Sequence, residues 1–115
     1  MHLPALRWQS LSLLLSSNVY SSMRATYNGI LLAESDDTIN IEGNHYFPRE
    51  SLVEAQFESS DHTSVCPWKG TANYLHVLTP EGRNENAAWY YPSTKHAAKP
   101  IEGRVAFWRG VEVGE

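Results

Sequence analysis

Turn-forming residues recur along this chain at intervals near ten, and the stretches between them are too short for anything but strands. Asn28-Gly29 separates the two apolar halves of the segment Arg24–Glu34, and both residues tolerate the positive φ that a type I′ hairpin turn requires. Ser35-Asp36-Asp37 forms a second turn signal before the β-branched run Thr38–Ile41. Glu42-Gly43-Asn44 breaks that run, and His45-Tyr46-Phe47 resumes extended structure. Pro48 followed by Glu50 predicts one helical turn through Val53. Strands are expected at Thr63–Cys66 and Ala72–Leu78, on either side of a corner at Pro67–Thr71. A turn at Pro80-Glu81-Gly82 leads to an aromatic strand, Ala87–Tyr91. Pro92–Pro100 reads as a loop with room for a turn of helix, and Arg104–Val113 closes the chain with a bend at Gly110. No stretch carries a sustained 3.6-residue apolar period, so the expected fold is an antiparallel all-β domain with one or two short helical turns.

At 115 residues the chain has room for one small domain. With 42% hydrophobic and 19% charged residues it can build a core. Its formal net charge of −4 lacks the basic excess with which nucleic-acid binders neutralise phosphate, so no nucleic-acid partner is expected. The single cysteine excludes an internal disulfide and any zinc site built on two or more cysteines. No apolar run approaches the roughly 18 residues that a membrane helix needs, so no membrane partner is expected either.

Residues 1–22 differ in character from the rest, being serine-rich and free of acids, with Arg7 as their one charged residue. Three readings stand for this extension: an upstream segment ahead of a true start at Met23, a targeting peptide, or a docked structural segment. The first makes the protein cytoplasmic and the second organellar or secreted. Either leaves residues 23–115 as the functional domain.

Several constellations could carry chemistry. In Cys66-Pro67-Trp68-Lys69-Gly70, proline fixes φ and glycine permits close backbone approach, so the corner can aim Trp68 at a planar ligand and Lys69 at its carbonyl or phosphate. Trp89 and Tyr91 share one face of their strand and Tyr90 takes the other. With Trp68 over that face, and Trp108 from the last strand, they can wall a pocket, which His45 could border. The competing reading makes these aromatics the core that so small a domain must have. Cys66 and His62 lie on an extended segment, with no helix N-terminus to activate the thiol, which favours a structural cysteine. Glu34, Asp36 and Asp37 could hold Mg²⁺ against a nucleotide, but Ser-Asp-Asp is also ordinary turn chemistry and no glycine-rich phosphate cradle accompanies it. His45, His62, His76 and His96 lack metal-ligand spacing, and no metal site is expected from them.

The strings YNGILLAESDDTINIEGNHYFP, TSVCPWKGTANY, NAAWYYP and IEGRVAFWRGVEV, in that order, resemble the domain-of-unknown-function 427 (DUF427) family from Met23 to Val113. The resemblance implies a β-tent-like arrangement in which two antiparallel sheets meet at an angle. Some β-tent relatives carry a four-cysteine zinc and an aromatic ligand cage. With Cys66 alone, that zinc does not carry over. The family also bears a nucleotidyltransferase label without a residue-level mechanism.

The reading that follows is a small-ligand-binding domain, with Trp68, Trp89 and Tyr91 as walls and Lys69 and His45 as polar anchors, and without a cofactor. The alternatives are a nucleotidyltransferase using Mg²⁺ and NTP through Lys69, Glu34, Asp36 and Asp37, and a protein-interaction module that presents an edge strand.

Overall fold

The Asn28-Gly29 pair turns as its chemistry favours, with φ of 51° and 80° in a computed structural model that describes residues 22–115. It joins β1 (Met23–Tyr27) to β2 (Ile30–Ser35), with Tyr27 opposite Ile30. The same geometry recurs at Glu42-Gly43, with φ of 58° and 83°. There it joins β3 (Ile39–Ile41) to β4 (Asn44–Tyr46) in a second two-residue hairpin. The sequence showed only a break at this point, because glutamate is not a residue that favours positive φ. The turn is held from outside itself: the Asn40 side chain accepts the Gly43 N–H at 3.2 Å, and the Glu42 carboxylate is bonded to Lys69. Apart from Ser22, the N-terminal extension at 1–22 lies outside the described residues.

Beyond Pro48 the chain makes two short 3₁₀ turns, Arg49–Ser51 and Glu54–Gln56, where the sequence predicted one. Three long strands follow: β5 (Phe57–Cys66), β6 (Gly70–Thr79) and β7 (Gly82–Tyr90). The first half of β5 escaped the sequence reading because it is an edge strand. Glu58, Ser59, Asp61 and His62 all face solvent, which erases the apolar alternation. Its pairing with β6 also shifts register between Ser59 and Thr63. After β7 comes a 3₁₀ stretch, His96–Ile101, in the segment expected to be a loop with a helical turn. The expected closing strand is two strands, β8 (Val105–Phe107) and β9 (Glu112–Gly114), separated by a turn in which Arg109 and Gly110 adopt positive φ. That turn sends β9 away from β8 to pair with β1.

Three antiparallel sheets result, ordered β2-β1-β9, β3-β4 and β5-β6-β7-β8, where two were expected. The third sheet arises because the β3-β4 hairpin reaches the edge of the four-stranded sheet at one residue pair only. Phe47 N–H donates to Val105 O at 2.8 Å, and Val105 N–H donates to Phe47 O at 2.9 Å. Among the described residues no helix is long and apolar enough to cross a membrane.

Strands β6–β8 of the four-stranded sheet bury residues on both faces, with strand alternation assigning each residue to one face or the other. Leu75, Val77, Val105 and Phe107 point to the larger core, shared with Ala25, Leu32, Ala33 and Leu52 from the first sheet and its neighbouring turn. Ala72 and Ala106 point the other way, into a smaller core with Tyr46, Tyr91, Ala98 and Ile101. Phe47 is fully buried in the larger core, edge-on to Phe107 with ring centroids 5.5 Å apart. Phe47→Ala should therefore lower the unfolding free energy by about 3–5 kcal/mol in urea titrations. Val65→Ala, at a position 77% exposed, should cost less than about 1 kcal/mol.

Candidate functional site

The corner between β5 and β6 is clamped from outside. Gly70 has φ of 129°, and a Cβ there would stand 3.0 Å from the carbonyl oxygen of Ser93. That close approach lets Gly70 pair with Thr94 and lets Lys95 N–H donate to Lys69 O at 2.9 Å. The Lys95 ammonium donates to Pro67 O at 2.6 Å. Held on both sides, the corner turns the Lys69 side chain inward, where the residue is only 7% exposed.

The Lys69 ammonium donates to Glu42 Oε1 at 2.6 Å and stands 3.8 Å from Cys66 Sγ. It also lies 4.9 Å from the Trp68 ring centroid and 5.9 Å from that of Tyr91. Burial by itself would lower the lysine pKa, but the Glu42 hydrogen bond, the phenols of Tyr46 and Tyr91 and the Cys66 thiol outweigh it and hold the pKa above the usual value. The same contacts favour the charged form of Lys69. Glu42 is held below the ordinary carboxylate value, first by the Lys69 hydrogen bond. Burial pushes the Cys66 thiol up, but backbone N–H groups of Trp68 and Lys69, with the Lys69 charge, bring its pKa below the ordinary 9.0. A tight turn here does for the thiol what a helix N-terminus does elsewhere. His62 does not reach Cys66 as a hydrogen-bond partner and instead packs at a tilt of 52° against Tyr74, with centroids 4.7 Å apart.

Above this corner lies a cavity of about 150 Å³, lined by Asn44, Tyr46, Lys69, Tyr74, Trp89, Tyr91 and Trp108. Two pairs of its rings stand nearly at right angles, while Tyr74 and Trp108 are tilted by 38°. Tyr46 and Trp89 meet edge-to-face at 89°, and Trp89 and Trp108 do so at 78°. The Trp89 indole N–H donates to the Tyr46 hydroxyl at 3.2 Å, and the Trp108 indole N–H donates to Asn86 O. Tyr74 bonds Ser64 through its hydroxyl at 2.8 Å. Burial raises the Tyr46 pKa, and it pushes the Tyr91 phenol up to about 12, so both carry protons across the ordinary pH range.

Of the residues singled out from sequence, the structure brings Lys69, Trp89, Tyr91 and Trp108 into this cavity. Trp68 is not in its lining; it lies 39% exposed, with its ring against the Lys69 ammonium. His45 faces a separate concavity beside Val111 and Val113, and its ring is bonded to Thr38 Oγ1 at 2.8 Å. Tyr46, Tyr74 and Asn44 were missed as site residues. Tyr74 sits directly across from Trp89 in the β6–β7 register, so strand pairing was the signal that would have found it.

Glu34, Asp36 and Asp37 are placed differently. Glu34 sits opposite Arg24 and borders a broad groove of about 560 Å³ over the first sheet, far larger but with no aromatic wall. Asp37 is engaged by Arg104, with its carboxylate at 3.3 Å, while its N–H donates to Ser35 Oγ at 2.9 Å in a local turn. Among the described residues no three His, Cys, Asp or Glu side chains gather closely enough to hold a metal ion.

The fold and this site together define a small all-β domain with a lysine-bearing aromatic pocket. A family model that carries a nucleotidyltransferase label and is described as a domain of unknown function (DUF427) matches residues 16–114, and the chain belongs to that family. The match takes in residues 16–22 ahead of Met23. No curated protein matches the chain.

The Glu42–Lys69 pair has a pH signature. Since the folded pKa of Glu42 lies below its unfolded value near 4.5, the pairing stabilises the fold above that pH and is lost as pH falls through the folded value. Carboxyl NMR titration should place the Glu42 midpoint below 4.5. In Lys69→Gln it should move back toward that value, and the acid-side loss of stability should shrink.

Proposed function

We propose that this domain binds a small planar molecule in the cavity bounded by Tyr46, Tyr74, Trp89 and Trp108. The observation that carries the reading is the pairing of perpendicular aromatic walls with a charged lysine that is itself only 7% exposed. Tyr46 and Tyr91 also belong to the smaller core, but a core alone would leave its lysine in solvent. Here Trp108 stays 43% exposed at the rim, and the rings surround space. At about 150 Å³ the cavity is well below the roughly 300 Å³ at which pockets for drug-sized ligands begin, so it suits one substituted ring.

The transferase reading has the family label behind it, but Glu34, Asp36 and Asp37 lie outside this pocket and do not converge on one point. The edge-strand reading would use β5, whose pairing is already irregular between Ser59 and Thr63.

The reading is tested by following the tryptophan indole N–H signals of the full chain during titration with benzoate, benzamide, uracil and nicotinamide. Signals of Trp89 and Trp108 should shift while the others stay in place. Trp108→Ala removes a rim wall that is not part of either core, so the fold should survive while binding weakens about tenfold. If none of the four compounds moves either signal, the pocket reading is wrong.

A further inference from the structure

Every polar side chain that lines the cavity carries a donor and none is a carboxylate, although the Trp89 and Trp108 indole N–H groups are already bonded to Tyr46 and Asn86. The Lys69 ammonium has three N–H donors. One goes to Glu42, one lies at the long distance of 3.8 Å from Cys66 Sγ, and the third has no acceptor among the described residues. Tyr46 accepts the Trp89 indole N–H and is itself fully buried. The Tyr91 hydroxyl has no hydrogen-bond partner among the described residues, and Asn44 adds an amide.

Charge points the same way. Glu42, which neutralises Lys69, is not in the lining; its side chain is 54% exposed, whereas that of Lys69 is 8% exposed. The lysine therefore faces the cavity and its counter-ion faces water. An aromatic box without a cation would favour a cationic ligand through its ring faces. In this box the protein's own ammonium already lies against Trp68 and Tyr91, so a second cation would meet like-charge repulsion at close range.

From this arrangement we infer that the pocket selects planar ligands carrying an anionic acceptor, an aromatic or heteroaromatic carboxylate, with the ring against the Tyr74, Trp89 and Trp108 rings and the carboxylate on Lys69 and Tyr91. The inference rests on the pocket reading above and adds the ligand's charge. Charge-assisted bonds from an ammonium and a phenol suit a carboxylate's two oxygens, and the cavity volume admits one ring with that substituent.

The test compares three ligands of nearly equal shape, benzoate, benzamide and benzylammonium, by the same indole-signal titration of the full chain at low ionic strength. Benzoate should bind about tenfold or more tightly than benzamide, and benzylammonium more weakly than either. Lys69→Gln should weaken benzoate far more than benzamide and bring the ratio of their affinities to within about threefold of one. Tyr91→Phe keeps the ring and removes only the hydroxyl, and it should weaken benzoate several-fold more than benzamide. This second variant keeps the test decisive should Lys69→Gln fail to fold. Equal affinity for benzoate and benzamide would overturn the charge preference and leave the pocket reading standing. Tightest binding of benzylammonium would also overturn it. If no compound moves the Trp89 and Trp108 signals, both proposals fall together.

Discussion

Two backbone hydrogen bonds between Phe47 and Val105 join the β3-β4 hairpin to the edge of the four-stranded sheet, and the pocket depends on them. Phe47 locks its ring into the larger core against Phe107. Its neighbour Tyr46, one residue earlier, necessarily points to the opposite face and into the smaller core. The same attachment brings Glu42, at the hairpin tip, to the Lys69 ammonium. One junction thus places a ring wall and the counter-ion of the site's cation together. It also explains why the smaller core exists, since the hairpin and the His96–Ile101 stretch cover a sheet face that would otherwise leave Ala72, Ala106 and Tyr91 in water.

The second fixed element is the corner at Pro67–Gly70. Proline limits the backbone on one side, and a glycine without Cβ allows the Ser93–Lys95 segment to press against it on the other. Lys69 is consequently held by main-chain contacts, and its side chain enters the site with little freedom to leave. An ammonium with so little exposure needs compensation, which Glu42 provides most directly. The phenols, the Cys66 thiol and the Trp68 ring complete its surroundings. The depressed Cys66 pKa follows from the same turn, whose N–H groups face the sulfur.

Much of the framework could be read before the fold was known, and the gaps have physical causes. Asn28-Gly29 announced its hairpin because both residues favour positive φ, whereas Glu42-Gly43 forms the same turn under tertiary restraint and so announced only a break. The polar half of β5 carries no alternation because an edge strand need not bury either face. Arg104–Val113 looked continuous because local propensity cannot reveal that a chain changes sheets. In the site, Lys69, Trp89 and Tyr91 stood out by their spacing and their constrained neighbours. Tyr46 and Tyr74 did not, since their nearness to Trp89 is a matter of cross-strand register and hairpin docking.

The sequence by itself determined the all-β class, the positions of most turns, the rigid corner around Lys69 and the opposed faces of Trp89 and Tyr90. Each of these follows from backbone preference or from the two-residue period of a strand, which act over a few residues. Tertiary structure decided that there are three sheets, that Asp37 serves Arg104 in a turn, that Trp68 backs the lysine, and that His45 faces elsewhere. It also decided that Lys69 is buried with its charge retained. Those outcomes depend on contacts between residues far apart in the chain, such as Glu42 with Lys69 and Phe47 with Val105, and on the desolvation and pairing that only packing imposes.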